Sequence, residues 1–469
     1  MTADGTGQDP GRIVARLDRL NVGTRSHNIW VLLLFGATFF ELADIPTFSL
    51  TAPTLKEQWK LSVSDIGLLT SLTFLGMFVG ALIGGRLADR FGRKWTLVGS
   101  VFLCGLFSML SAVSTGVVML GVCRVLIGMW IAATAVIVLA FASEMYPPPI
   151  RGRYFAAIFT VSGLGSPIVS WFARVVIPMG DNGWRWVYVF GITGLVIAVI
   201  MALVLPESLR WQAANGGTRQ ADAVMSRLEA EAERKVGALP EPAQDVAPIE
   251  AKGGLRDLFR QRYRKRTIVV VVSLAFILSS YYAFSGWVPT LLVERGFSKT
   301  DSLTYASIFS LGAVVGPLVA MPIIDRWERK RLLGVIYCSI AVLMLVYGVI
   351  TSGGVVVIVG FVMYTLFITG WVIVNTYSAE IYPTRLRGIG TGLPSGIGRL
   401  MAFGGSNLVA FVFTGAGYFA VFLVIAVGVA IAGLLLAGLG ERTTNRSPDE
   451  ADAGASGDSE SVTVRSQGA

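Results

Sequence analysis

The sequence predicts an all-α membrane protein of twelve transmembrane helices, built as two six-helix halves. Three observations predict it. Apolar runs of about 18 residues or more recur along the chain, each long enough to cross a hydrocarbon core as a helix. Charged residues make up only 15% of the chain, against about 25% in a soluble globular protein. A stretch between the second and third runs reappears at a constant offset of 236 residues.

The runs fall at 29–55, 63–88, 95–114, 116–143, 153–178 and 185–206, then at 267–293, 302–325, 332–351, 354–379, 388–414 and 417–440. Helices are predicted over barrel strands because a barrel strand needs only about 10 residues. The halves are therefore 29–206 and 267–440. Residues 1–28 form a polar N-terminal tail with Arg12, Arg16, Arg19 and Arg25, and lack the short apolar core of a signal peptide. Residues 207–266 join the halves: 218–235 is predicted as a helix, 238–248 as linker, and 253–266 as a basic stretch on the membrane surface. The acidic, Ser- and Gly-rich tail 441–469 is predicted to be disordered.

Charge placement sets the topology. With both termini in the cytoplasm, 31 Lys and Arg residues lie on that side and five outside: Lys56, Lys60, Arg185, Arg295 and Lys299. This is the bias of a multi-pass protein of the cell inner membrane. The net charge of +9 therefore reports topology and not a nucleic-acid partner. Cys104, Cys123 and Cys338 all fall within spans, with no metal or disulfide spacing. His27, the one histidine, precedes the first span, so no histidine is placed to relay protons. No metal-ligand cluster or nucleophile–base constellation is present, so neither an enzyme nor a bound cofactor is expected.

The repeat joins "GMFVGALIGGRLADRFGRK" from Gly76 to "GAVVGPLVAMPIIDRWERK" from Gly312. Gly76, Gly80, Asp89, Arg90, Arg93 and Lys94 recur as Gly312, Gly316, Asp325, Arg326, Arg329 and Lys330. The same offset carries "EMYPPPIRG" (144–152) onto "EIYPTRLRG" (380–388). The chain is a duplicated six-helix unit, an architecture suited to a ligand site near the bilayer midplane.

"GGRLADRFGRK" resembles the signature of the major facilitator superfamily. The Glu-x-x-Pro-x-x-x-Arg-Gly elements after spans four and ten, with "PESLRW" (206–211), resemble its sugar-porter-like branch, and the likeness covers about residues 28–440. The resemblance implies an alternating-access transporter driven by a proton gradient. It also implies an inner-side ionic lock of Asp89, Arg90, Arg93, Glu144 and Arg151, with Asp325, Glu380 and Arg387 in the second half.

Ionisable groups at membrane depth are candidates for function. Glu41 and Asp44, three apart, share one face of span one. At 1.5 Å per residue, Asp44 lies ~22 Å and Arg124 ~28 Å from the cytoplasmic ends of their spans, which makes them partners. Shifted by 236, Asp44 becomes Ser280 and Arg124 becomes Gly360, so the shared architecture does not require either charge. A desolvated carboxylate beside a permanent cation exchanges a proton when its hydration changes. Asp44, Glu41 and Arg124 are the predicted proton-coupling residues.

Two acids against Arg124, Arg174 and Arg399 leave one net positive charge within the spans, which favours a small organic anion. Arg399 is its candidate clamp, and Tyr281, Tyr282 and Trp371 give the site an aromatic lining. Arg174 is assigned to the headgroups and left out of the site. The resemblance adds Asn375, where sugar porters place a pocket Trp, and an acid pair in span one like that of aromatic acid:proton and niacin-type symporters, with Leu42 in place of their Gly. Sugar porters carry Gln residues near the positions of Phe159, Phe276 and Ile277 here, which disfavours a sugar or polyol. Ser166 before Pro167 departs from the Gly-Pro of drug–proton antiporters, so uptake is favoured over efflux. The expectation is a monomeric symporter taking protons and a small carboxylated, aromatic metabolite as its partners. A transport-fold sensor is the alternative from a different class.

Overall fold

The computed structural model describes residues 10–242 and 254–443. Residues 1–9, most of the linker 238–248 and most of the tail 441–469 lie outside the described residues. Among the described residues, eleven helical segments are long and apolar enough to cross a membrane. Six are Arg25–Gln58, Val63–Phe91, Arg93–Ala112, Val117–Met145, Pro148–Met179 and Gly183–Val204. The others are Gln261–Glu294, Lys299–Ile324, Arg329–Val349, Gly353–Glu380 and Arg385–Leu439. The last is two helices run together: Gly417, at φ 83°, breaks the helical backbone where the sequence predicts the boundary between spans eleven and twelve. The protein is an all-α, multi-pass membrane protein.

The described residues fall into two compact units. One comprises the chain through Ile249 with Val288–Ser307, and the other the remainder. In the first, the second and fourth spans pack backbone to backbone. A methyl group on Gly80 would press into the carbonyl of Met129, and one on Gly76 into that of Val125. Small residues permit that approach, which supplies dispersion and interhelical polar contact where lipid removes the hydrophobic drive. The second unit repeats the motif: Gly312 and Gly316 lie against Thr365, the counterpart of Met129 by the same offset. Gly80→Val forces the helices apart and lowers stability by about 3 kcal/mol or more. The check is thermal unfolding of the detergent-solubilised protein, with Gly116→Val, where added atoms meet open space, as the tolerated control.

The described part of the N-terminal tail is largely helical. Pro10–Asp18 is a helix, and Ile13, Leu17 and Leu20 are buried. Arg16 donates from Nε to Glu229 Oε1 at 2.9 Å on the helix Thr218–Val236, and Arg19 also pairs with Glu229. Burial opposes the charged form of Glu229, but the two guanidiniums outweigh it and hold its carboxyl below the usual carboxylate range. His27 lies in the first turn of the helix Arg25–Asp44, fully buried, with Nε2 3.2 Å from the Met145 carbonyl oxygen. Within the basic stretch 253–266, Leu255–Phe259 forms a short 3-10 turn, and Gln261 starts the long helix Gln261–Glu294 that continues into the seventh span.

Candidate functional site

The first span is broken at its midpoint. One helix ends at Asp44 and the next starts at Thr47, because Pro46 has no N–H to continue the ladder. Thr47 Oγ1 donates to the Asp44 carbonyl oxygen at 2.7 Å, satisfying a group the break leaves open. The break leaves the Asp44 side chain buried, 2% exposed, among the third, fourth and sixth spans.

Ser108 Oγ donates to Asp44 Oδ1 at 2.7 Å. Arg124 Nη1 lies 3.9 Å from Asp44 Oδ2, close enough for ion pairing and too far for a hydrogen bond. At that separation two unit charges attract by about 4 kcal/mol at an effective dielectric of ~20. Arg124, also 2% exposed, donates from Nε to Thr73 Oγ1 at 2.8 Å and from Nη1 to Thr47 Oγ1 at 3.1 Å. Among the described residues no hydrogen bond reaches Asp44 Oδ2. Glu41, one turn earlier, is half-buried.

The second unit lacks both charges and all three hydroxyl partners. The counterparts of Asp44, Ser108, Arg124, Thr73 and Thr47 are Ser280, Met344, Gly360, Phe309 and Ala283. The Phe309 ring lies against Gly360 where the first unit has the Thr73–Arg124 hydrogen bond. A packed ring and a cation with its hydroxyls thus fill equivalent sites of one architecture. The charge is an addition to the fold and not part of its frame.

The second unit carries an aromatic cluster instead. The hydroxyls of Tyr281 and Tyr364 are 3.0 Å apart, and the Tyr281 ring stands edge-on to Tyr282, Tyr364 and Phe367. Tyr364 and Phe367 were not singled out from the sequence, where an aromatic in an apolar helix has no distinguishing mark. Trp371 is half-buried, and Asn375, exposed, donates from Nδ2 to the Trp371 carbonyl oxygen at 2.7 Å. Arg399 is half-buried and donates to Ser395 Oγ at 3.2 Å. Arg174, in the first unit, donates to Thr304 Oγ1 at 2.8 Å.

At the ends that carry the repeated motifs, each unit builds its own ionic triad. Arg93 Nη2 is 2.9 Å from both Asp89 Oδ1 and Glu144 Oε1. Arg329 Nη2 is 3.2 Å from Asp325 Oδ1 and 3.3 Å from Glu380 Oε1. Arg329, absent from the predicted lock, is the residue the offset assigns opposite Arg93. Arg90, Arg151 and Arg387 do not join the triads. Arg90 lies over the Phe91 ring, while Arg151 and Arg387 donate to the carbonyl oxygens of Tyr146 and Ala379. The resemblance marked these three, whereas direction on the helix decides which guanidinium meets the acids. Glu207, from "PESLRW", joins the first triad as a fourth group, accepting from the amides of Arg93 and Lys94 at 2.8 and 2.9 Å. Gly92, at φ 91°, leaves room for that carboxylate. Among the described residues no group of three His, Cys, Asp or Glu side chains is placed to hold a metal ion.

Residues 34–406 match the Major Facilitator Superfamily. The chain belongs to that superfamily. It is a membrane transporter and not an enzyme. Among its relatives, YyaJ of Bacillus subtilis strain 168, named for metabolite transport, is 36% identical over 87% of this chain and 91% of its own. The niacin transporter NiaP of Acinetobacter baylyi is 25% identical over 92% of this chain and 98% of its own. The 4-hydroxybenzoate transporter PcaK of the same organism is 27% identical over 82% of this chain and 85% of its own. The solved structure of a D-xylose–proton symporter superposes with a TM-score of 0.70 at 16% identity, covering 89% of this chain and 99% of that one, a likeness of fold alone. The superfamily transporter thus has a sugar-porter-like fold and relatives that carry metabolites and aromatic acids.

Proposed function

We propose that this transporter is a proton-coupled symporter that imports a small organic anion, an aromatic or other carboxylated metabolite, across the cytoplasmic membrane by alternating access. Both termini and the ionic triads face the cytoplasm in this reading, as the Lys and Arg bias requires. The observation that carries it is the buried Asp44 carboxylate. One of its oxygens is held by Ser108, the other makes no hydrogen bond among the described residues, and a permanent cation lies 3.9 Å away.

When the site opens to water, protonation of Asp44 cancels its charge and frees the Arg124 field to act on a ligand carboxylate. Opening on the other side returns the proton and restores the pair. One proton and one monoanion then cross together without net charge. Arg399 and the Tyr281–Tyr282 cluster are the proposed anion and ring contacts. The named ligands of the two Acinetobacter relatives, niacin and 4-hydroxybenzoate, are both aromatic carboxylates, which supports the same class here.

Reconstituted vesicles test the reading. Labelled nicotinate, 4-hydroxybenzoate, arabinose and xylose are presented with and without an inward proton gradient. The expected result is gradient-driven accumulation of an aromatic acid, beyond that of protein-free vesicles, and none of either sugar. Accumulation of a pentose would establish the sugar porter instead. Outward pumping of the acids would establish an antiporter, and saturable binding without movement a sensor.

A further inference from the structure

We propose that Ser108 sets the proton affinity of Asp44, and that Oδ2 is the atom that takes the proton. The inference deepens the reading of Asp44 as the proton carrier and rests on it. Ser108 has one hydroxyl proton and two acceptors in reach: Asp44 Oδ1 at 2.7 Å and the Tyr188 carbonyl oxygen at 3.3 Å. The shorter contact is to the carboxylate, as a charge-assisted bond should be. A donor fixed on Oδ1 stabilises the ionised form and leaves that oxygen's role unchanged on protonation, when it becomes the carbonyl oxygen and still accepts.

Oδ2 differs in kind. Arg124 directs Nε and Nη1 to Thr73 and Thr47 and stays 3.9 Å from Oδ2, so it contributes its field without using the oxygen's lone pair. In the uptake step a hydronium ion gives up one proton. An O–H bond forms on Oδ2 as the hydronium O–H breaks, and water is left. Release is the reverse. Among the described residues, the titratable or charged groups that interact with Asp44 are Arg124 on the fourth span, Cys104 on the third and Tyr188 on the sixth, while Glu41 lies one turn earlier on its own helix. Ser108 is the one hydroxyl, thiol or guanidinium group among the described residues whose hydrogen bond ends on an Asp44 carboxylate oxygen. Its counterpart, Met344, lies in the half that lacks the acid.

Infrared titration of the full-length protein in lipid follows Asp44 directly, without any ligand. The signal is the carbonyl stretch of a protonated carboxyl that is missing from the Asp44→Asn variant. Ser108→Ala moves the midpoint of that band to more alkaline pH by about one unit, a tenfold gain in proton affinity. It also moves the band to higher frequency, because the carbonyl oxygen loses its donor. Ser108→Thr keeps the hydroxyl and holds both near the parent values. A band that titrates in the parent and keeps its midpoint in Ser108→Ala overturns the role of Ser108 alone. Absence of any Asp44-dependent band across the titration overturns the proton-carrier reading as well.

Discussion

Asp44→Asn abolishes accumulation of ligand against a gradient while ligand exchange across the membrane continues. The substitution keeps the shape of the side chain and an oxygen for Ser108 Oγ, now 2.7 Å from Oδ1, and removes only the ability to take a proton. For one proton per anion, each unit of imposed pH difference supports about tenfold accumulation. The variant falls to no accumulation at all. The conformational cycle itself needs the site to be charge-balanced, and a neutral Asn permanently mimics the protonated acid. Counterflow of labelled nicotinate or 4-hydroxybenzoate in reconstituted vesicles therefore persists where net accumulation is lost. Loss of both processes would make Asp44 a structural residue, and retention of both would make it a bystander.

Arg124→Met has the second large effect, and it is on stability as well as transport. A carboxylate 2% exposed loses the cation beside it, and breaking one side of a buried pair costs about 3–5 kcal/mol. The thioether also fails to satisfy the hydroxyls of Thr73 and Thr47, which both accept from the guanidinium. Adding Asp44→Asn removes the stranded charge. The double variant is expected to regain most of the lost unfolding temperature and to remain unable to accumulate ligand. The second unit shows such a neutral arrangement, with Gly360 and Phe309 packed at the equivalent positions. A single variant as stable as the double would mean that the two charges are not energetically coupled.

The fold was legible because a membrane demands unbroken apolar length and the duplication repeats its own evidence. Gly80 and Gly316, Arg93 and Arg329, and Glu144 and Glu380 mark each half with the same contacts. The Asp44–Arg124 pairing was legible too, since helical rise turns sequence position into depth. Its hydroxyl partners were not. Ser and Thr are common in spanning helices, where they often bond their own backbone, so Ser108, Thr73 and Thr47 carry no signal by themselves. The duplication held that signal unread: at each of those positions the other half has an apolar residue, Met344, Phe309 or Ala283. The helix Pro10–Asp18 was hidden by its arginines, although Ile13, Leu17 and Leu20 already lie at helical spacing. The direction of Arg90, Arg151 and Arg387 was beyond reach, because composition gives a charge and packing decides what it faces.

Proton movement driven by ligand is the most direct measurement of the account. Vesicles holding a trapped pH dye, with no gradient imposed, receive nicotinate or 4-hydroxybenzoate under conditions where protein-free vesicles set the passive leak. The account predicts acidification of the lumen above that leak for the parent protein, and leak alone for Asp44→Asn although the label still exchanges. Ligand entry through the parent protein without accompanying protons, or undiminished proton entry through Asp44→Asn, would contradict it.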